Sequence, residues 1–410
     1  MRRICLTVPT NRECAATLTE VLAEAAYAEE HFDVEVHLVV LDSSADFAAH
    51  AQVLRGAERV WHLDEAAQGD FLRRAIRRSG VTRPGLVADL MLPQGLSYGA
   101  CTNRAFLVAV ALGCESVHRR DSDSYFQTHD GDKVFPVHAE LLSLGRPAHR
   151  AETTENQLDP ALRDATVAMV GASFVGEMSV DLGEIRDHEA YGDLVGLWAP
   201  DDSSELEKEA LVRESFMGSE PFAGDRSVLA VVDPMRVDMH NISFHGLHER
   251  IPLPPAEDTI GSDYFLIHVA HKARLPGVLH NRHIVNFHTK ERKTPAGFLS
   301  YQMRFVKFIL SMHYFHFIYR RLTNSTPGSI AALVRESAWQ DRGPNEARLV
   351  LMERAYRRIG GKFTAVADRI VERGEDLLTE ARRDIDDYVQ LIEAWGPLVD
   401  ASRGTDVRHG

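Results

Sequence analysis

Ile4 to Val8 is a short apolar run ended by Pro9 and the polar turn Thr10-Asn11-Arg12, a pattern that predicts a buried strand. Ala15 to Glu30 sets alanine and leucine among acidic spacers and reads as an amphipathic helix. Val34 to Leu41 (VEVHLVVL) is strand-like again and stops at Asp42-Ser43-Ser44. Strand, helix and strand at this spacing make a βαβ unit, hence a parallel sheet with helices on its faces. Arg59 to Leu63 predicts a further strand and Phe71 to Arg78 a basic helix. Thr102-Asn103-Arg104 opens an apolar helical segment, Ala105 to Leu112, which Gly113 ends. Glu115 to Arg119 then delivers the chain to Asp121-Ser122-Asp123. In parallel sheets ligands sit beyond the carboxyl ends of the strands, where Thr10-Asn11-Arg12, Asp42-Ser43 and Asp121-Ser122-Asp123 all fall.

Further along, Val167 to Ile185 reads as a strand with a bend and Asp201 to Glu214 as a charged helix. Val228 to Val232 is another buried strand. Ser262 is a candidate cap for a helix that begins at Asp263-Tyr264-Phe265, and LPGVLHNRHIVNFHT reads as a turn and a strand with Asn281, His283 and Val285 on one face. Phe298 to Leu322 is an aromatic, basic helical run whose apolar residues extend almost around the helix, which suits burial better than a membrane surface. Helical segments near 329–340, 344–358 and 362–394 follow. The expected organisation is an α/β domain over residues 1–293 and a helical extension over 294–410 used for packing or dimerisation.

The chain has 410 residues, 44% of them apolar, enough for a sizeable core. Its formal net charge of -14 argues against a general nucleic-acid or anionic-membrane binder. The N-terminus has no long apolar run, so neither a signal peptide nor a membrane anchor is expected there. Cys5, Cys14, Cys101 and Cys114 form no C-x-x-C pair and suit reduced thiols in a cytoplasmic protein. There is no G-x-G-x-x-G and no P-loop.

Two carboxylates flanking a serine at a strand end can hold a divalent cation and leave its other positions to phosphate oxygens; the plain alternative is an acidic turn. Lys290, Arg292 and Lys293 form a local basic cluster of the kind a diphosphate needs, or a solvated loop. Asp263 is either a helix-cap carboxylate or a base. Phe174, Glu177 and Asp181 fall on a glycine-rich segment that could wall a pocket for a small polar acceptor.

Taken together, these motifs resemble the GT-A class of nucleotide-sugar glycosyltransferases. Leu6-Thr7-Val8-Pro9-Thr10-Asn11-Arg12 is similar to its first strand and nucleotide-binding turn, and Asp42-Ser43-Ser44 to its second strand end. Thr102-Asn103-Arg104-Ala105, Gly113 and Asp121-Ser122-Asp123 resemble the run that ends in D-x-D. Gly261-Ser262-Asp263 resembles the acceptor-side E-D motif, and His283-Ile284-Val285-Asn286 the late H-x-x-N. The resemblance implies a GT-A (Rossmann-like) mixed sheet flanked by helices, with an α-helical C-terminal extension. It implies that Pro9, Thr10, Asn11, Arg12, Asp42, Asn103, Arg104, Asp121, Ser122, Asp123, Lys290, Arg292 and Lys293 bind the donor. It also implies Mn²⁺ or Mg²⁺ on Asp121 and Asp123 with His283 or His288 completing the shell, and Asp263 as the catalytic carboxylate. Thr102 stands where the run has Arg, and Ser262 where many members carry Glu. The implied reaction moves a sugar from a nucleoside diphosphate (GDP or UDP) to a small acceptor. A finer resemblance is to lincosamide-antibiotic enzymes that glycosylate a thiol or thione. Alternatives are a sugar-nucleotide nucleotidylyltransferase and a non-catalytic interaction protein on a decayed transferase domain.

Overall fold

A computed structural model describes residues 1–177, 182–215 and 218–407. Strand β1 (Arg2–Thr10) lies between β2 (Val34–Asp42) and β4 (Ser116–Arg120), and β3 (Val60–Leu63) lies outside β2, all four parallel. β1 runs through Pro9 rather than stopping before it; β4 pairs with it only as far as Thr7, so the proline falls beyond the doubly paired part. Beyond β4 the order continues with Asn241–His245, Met169–Gly171, Gly277–His280, Ser227–Ala230 and Glu155–Asn156. Asn241–His245 is antiparallel to β4, so it starts at the edge where β4 ends. Helices α1 (Ala15–His31), α2 (Phe47–Val53), α3 (Glu65–Ser79), α4 (Pro84–Met91) and α5 (Tyr98–Ala111) connect the parallel strands. This is a mixed α/β sheet flanked by helices, followed by a long C-terminal helical extension.

Several local expectations change in the folded chain. The stretch expected as one bent strand from Val167 is two strands in different sheets, Met169–Gly171 and Phe174–Gly176. Asn281 to His283 does not share a strand face with Val285, because these residues link Gly277–His280 to Ile284–Asn286 in a second, three-stranded sheet. Ser262 does not cap its helix: Gly261 takes the cap position at φ +74°, and a short 3-10 turn, Ser262–Tyr264, leads into Phe265–Lys272. α5 begins earlier than its apolar run, with Ser97 capping Ala100 N–H. At Gly99 a Cβ would stand 1.9 Å from the Pro254 carbonyl oxygen, so only glycine lets α5 press against that segment.

β4 is anchored by an ion network. Arg120 is buried and donates to Glu24 on α1 (2.8 Å) and to Glu140 on the Val137–Ser143 helix (2.9 Å). His118 also meets Glu140 at 2.7 Å. Burial pushes the Glu140 carboxyl up, but Arg120 and His118 outweigh it and hold the group at about 2. The C-terminal helices are Pro295–Arg321, Pro327–Ser337, Gly343–Ile359 and Thr364–Ser402. Tyr388 donates to Pro252 O (3.0 Å) and Trp395 to His248 O (3.1 Å), so the last helix is fastened to the sheet domain. One core runs from Phe106 and Phe244 through Phe305 to Trp395. Among the described residues no helix is long and apolar enough to cross a membrane.

Candidate functional site

At the carboxyl edge of the parallel strands lies a cavity of about 1140 Å³. The β1 turn forms one side, the turn after β4 its floor, and the Pro295–Arg321 helix its roof. Asp121, Ser122 and Asp123 line it directly after Arg120 leaves the sheet. The antiparallel strand that starts beside them brings in Asp238 and His240, and the Ser262–Tyr264 turn brings in Asp263.

The charges at the centre are matched pairwise. Arg12 donates to Asp123 Oδ2 at 2.6 Å. His240 lies 3.0 Å from Asp121 Oδ2 through Nε2 and 3.3 Å from Asp238 Oδ1 through Nδ1. Arg119 donates to Asp263 Oδ2 at 2.7 Å and to Met239 O at 3.2 Å. Burial pushes Asp121 up, yet His240, Arg119 and Arg12 prevail and hold it below the usual carboxylate range. Burial works against a charged His240, but Asp238, Asp121 and Asp123 prevail and raise it above the ordinary imidazole range. For Asp263 burial wins: its carboxyl stays raised although Arg119 pulls it down. Four carboxylates (Asp121, Asp123, Asp238, Asp263) thus face two guanidiniums and one imidazole, a net negative centre inside a chain whose rim adds Arg292 and Arg304.

Of the residues expected to bind the donor, Pro9, Thr10, Asn11, Arg12, Arg104, Asp121, Ser122, Asp123 and Arg292 line the cavity, as do Phe174 and Asp263. Others are elsewhere. Asp42 is buried beneath the cavity edge, held by His50 (2.7 Å), His62 (2.8 Å) and Ser44 N–H (2.9 Å), and Ser43 lines the cavity in its place. Asn103 bonds Leu253 in both directions, a clamp between α5 and the facing segment. Lys293 is exposed and pairs with Glu177 at 3.3 Å, and Lys290 is exposed; neither lines the cavity. Glu177 also accepts from His288 N–H, so this carboxylate ties the 288–293 loop rather than walling the cavity. His283 accepts Ser173 N–H at 3.2 Å through Nδ1, and burial pushes it down to about 4. Neither His283 nor His288 is among the cavity's lining residues. Asp181 falls outside the described residues.

A family profile matches residues 2–410 and is described as a family of unknown function, DUF6271. The chain belongs to that family. No curated protein matches this chain. Among solved structures, mannosyl-3-phosphoglycerate synthase from Rubrobacter xylanophilus is 14% identical over 75% of this chain and 74% of its own, with a TM-score of 0.35. A mycobacterial protein is 14% identical over 76% and 74%, at 0.36. S. aureus TarS 1-349 is 13% identical over 96% and 90%, at 0.35.

Two features of this DUF6271 chain escape sequence reasoning. His240 sits in a dense stretch, DMHNISFH, but only the antiparallel insertion of Asn241–His245 beside β4 brings it to Asp121. The second is the group Asp42, His50 and His62, whose donor atoms lie within 4.8 Å of one another, close enough to share a divalent ion. It is the one such group among the described residues. His50 Nε2 accepts Cys14 N–H at 2.9 Å, so its own proton is on Nδ1, facing Asp42. A metal there would have to displace that proton, and the hydrogen-bonded form already satisfies Asp42.

Proposed function

We propose that this chain is a metal-dependent glycosyltransferase of GT-A type, moving a sugar from a nucleoside diphosphate to a small molecule. The observation that carries this reading is the net negative centre made by Asp121 and Asp123 at the end of β4, with guanidiniums beside it. Asp121 and Asp123 offer the oxygen donors that suit a hard divalent cation; His240, in place of His283 or His288, would have to give up its proton to join them, and these three are not gathered within 4.8 Å as Asp42, His50 and His62 are. Mn²⁺ or Mg²⁺ would take over the carboxylate oxygens that Arg12 and His240 now hold, and would supply charge neutralisation at a diphosphate. Arg12, so released from Asp123, and Arg292 and Arg304 at the rim would meet phosphate oxygens by charge-assisted hydrogen bonds. Thr10, Asn11 and Ser43 at the ends of β1 and β2 hold the nucleoside.

Asp263 lines the same cavity with a raised pKa, suited to accept a proton. The acceptor heteroatom bonds to the anomeric carbon while the bond from that carbon to the phosphate oxygen breaks. The electron pair leaves with the diphosphate and the acceptor's proton passes to Asp263. Arg119 orients Asp263 through Oδ2 and offsets its charge.

The test is thermal unfolding with UDP, GDP, UMP and GMP, each with and without Mn²⁺, for the native chain and Asp123→Ala. A ligand that binds only the folded state raises the midpoint. The expected result is a shift with one diphosphate that needs Mn²⁺ and disappears in Asp123→Ala. A metal-independent shift that survives the substitution, or no shift with any nucleotide, overturns the reading.

A further inference from the structure

The cavity, at about 1140 Å³, is at the top of or above the roughly 300–1,000 Å³ of single-ligand pockets. One helix shows how it is divided. Tyr301, Arg304, Phe308, Met312 and Tyr319 of Pro295–Arg321 all line the cavity, and spacings of three, four, four and seven put them on one stripe. The stripe extends for about 27 Å at helical rise. Its first turns are polar and cationic: Arg292 stacks over the Tyr301 ring at 3.7 Å, beside Arg304. From Phe308 onward it is apolar.

The apolar stretch faces aromatic and sulfur-bearing neighbours. Trp198 meets Phe308 edge-on, with centroids 5.5 Å apart. Phe308 in turn covers Gly261, where a Cβ would stand 2.7 Å from the ring, so glycine allows the ring to lie two residues from Asp263. Tyr264 and His268 are one helical turn apart, and His268 stacks flat on Tyr319 at 4.0 Å and 11°. Burial pushes His268 down to about 3, which keeps that ring neutral at physiological pH. Met235 and Met312 complete the walls.

We propose that the cavity beyond Asp263 is a subsite for a flat, largely apolar ring, so that the sugar acceptor is an aromatic small molecule presenting its nucleophile to Asp263. This rests on the glycosyltransferase reading above for the word acceptor, but the subsite itself does not. Aromatic walls with a neutral imidazole bind ring faces well and offer a polyol fewer hydrogen-bond partners than the charged end of the cavity does. The acceptor implied by the sequence, a small polar metabolite beside 171–181, would meet this space through Ser173 and Phe174, the cavity-lining residues among those of the segment that are described.

The probes are 1-naphthol and methyl α-glucoside, titrated calorimetrically into the full chain. Naphthol is expected to bind saturably and at least tenfold more tightly than the glucoside. Met312→Trp, which fills the subsite, should weaken naphthol at least tenfold and leave Mn²⁺-dependent nucleoside-diphosphate affinity within twofold. Should that variant lose its cooperative melt, Met235→Trp, at a second lining position, serves the same comparison. Tighter binding of the glucoside, or naphthol binding unchanged in a folded blocking variant, overturns the proposal. Naphthol binding blocked by Met312→Trp in a chain that binds no nucleotide would uphold the ring subsite while ending the glycosyltransferase reading.

Discussion

Removing the cation beside Asp263 tests the electrostatics of the site without knowledge of any substrate. In Arg119→Met the side chain keeps most of its apolar stem but no longer donates to Asp263 Oδ2 or Met239 O. Asp263 is 6% and Arg119 3% exposed, so solvent cannot replace the lost partner. Breaking one side of a buried pair costs about 3–5 kcal/mol, a large share of the roughly 5–15 kcal/mol that holds a domain folded. The cost must depend on pH. Asp263 already has a folded pKa above its unfolded value, and losing Arg119 raises it further. A group raised on folding contributes stability at low pH and loses it as pH climbs through the folded pKa. The deficit of the variant is therefore small where both forms are protonated. It grows by up to about 1.4 kcal/mol per pH unit once the native Asp263 ionises, and levels off above the variant's value. Urea unfolding at a series of pH values from 4 to 8 measures it, and Arg119→Met/Asp263→Asn should remove the share that belongs to Asp263, leaving that of Asp121 and His240, which Arg119 also faces. Because His240 and Asp121 face the same centre, that double variant is the needed control. A deficit equal at every pH would refute the claim that Asp263 depends on Arg119 for its charge.

Two further outcomes follow from the same geometry. Arg292, stacked over Tyr301 at the rim, and Lys293, paired with Glu177 outside it, should separate cleanly. Arg292→Met should weaken the nucleoside diphosphate by about tenfold or more, as expected for a charged hydrogen bond, and the monophosphate less; Lys293→Ala should change either by no more than about 1 kcal/mol. Equal losses for both ligands on Arg292→Met would put its contact away from the second phosphate. Arg120→Met should destabilise the fold by about 3–5 kcal/mol in urea by stranding Glu24 and Glu140, whereas Arg3→Ala, which frees only the surface partner Glu35, should cost about 1 kcal/mol or less.

How far the sequence speaks depends on whether a feature is local. β1, α1, β2 and the turn that carries Asp121 and Asp123 are legible because hydrophobic period and strand-end chemistry lie in consecutive residues. Asp42 illustrates the limit: an acidic strand end looks like a ligand contact, and nothing nearby in sequence announces that His50 and His62 will enclose it. His240 was hidden for a different reason. Its strand enters the sheet antiparallel, out of sequence order, and only that topology sets it against Asp121 rather than leaving the late histidines as the natural choice.

The Pro295–Arg321 helix marks the furthest reach of the sequence reading and also its blind spot. Apolar residues around the whole circumference correctly imply burial, and a helix buried on every side invites the conclusion that it only packs. Yet burial has two meanings along this helix. Lys307 meets Asp384 of the last helix at 2.9 Å, so one face is fixed to the extension. The stripe from Tyr301 to Tyr319 is buried against a cavity instead, where the same aromatic residues become walls for a ligand. Periodicity counts apolar neighbours and cannot distinguish a neighbouring side chain from a guest. The extension therefore belongs to the candidate site as much as to the scaffold: one face of a single helix lines the cavity of the carboxylate centre, while the other is held to the last helix through Lys307 and Asp384.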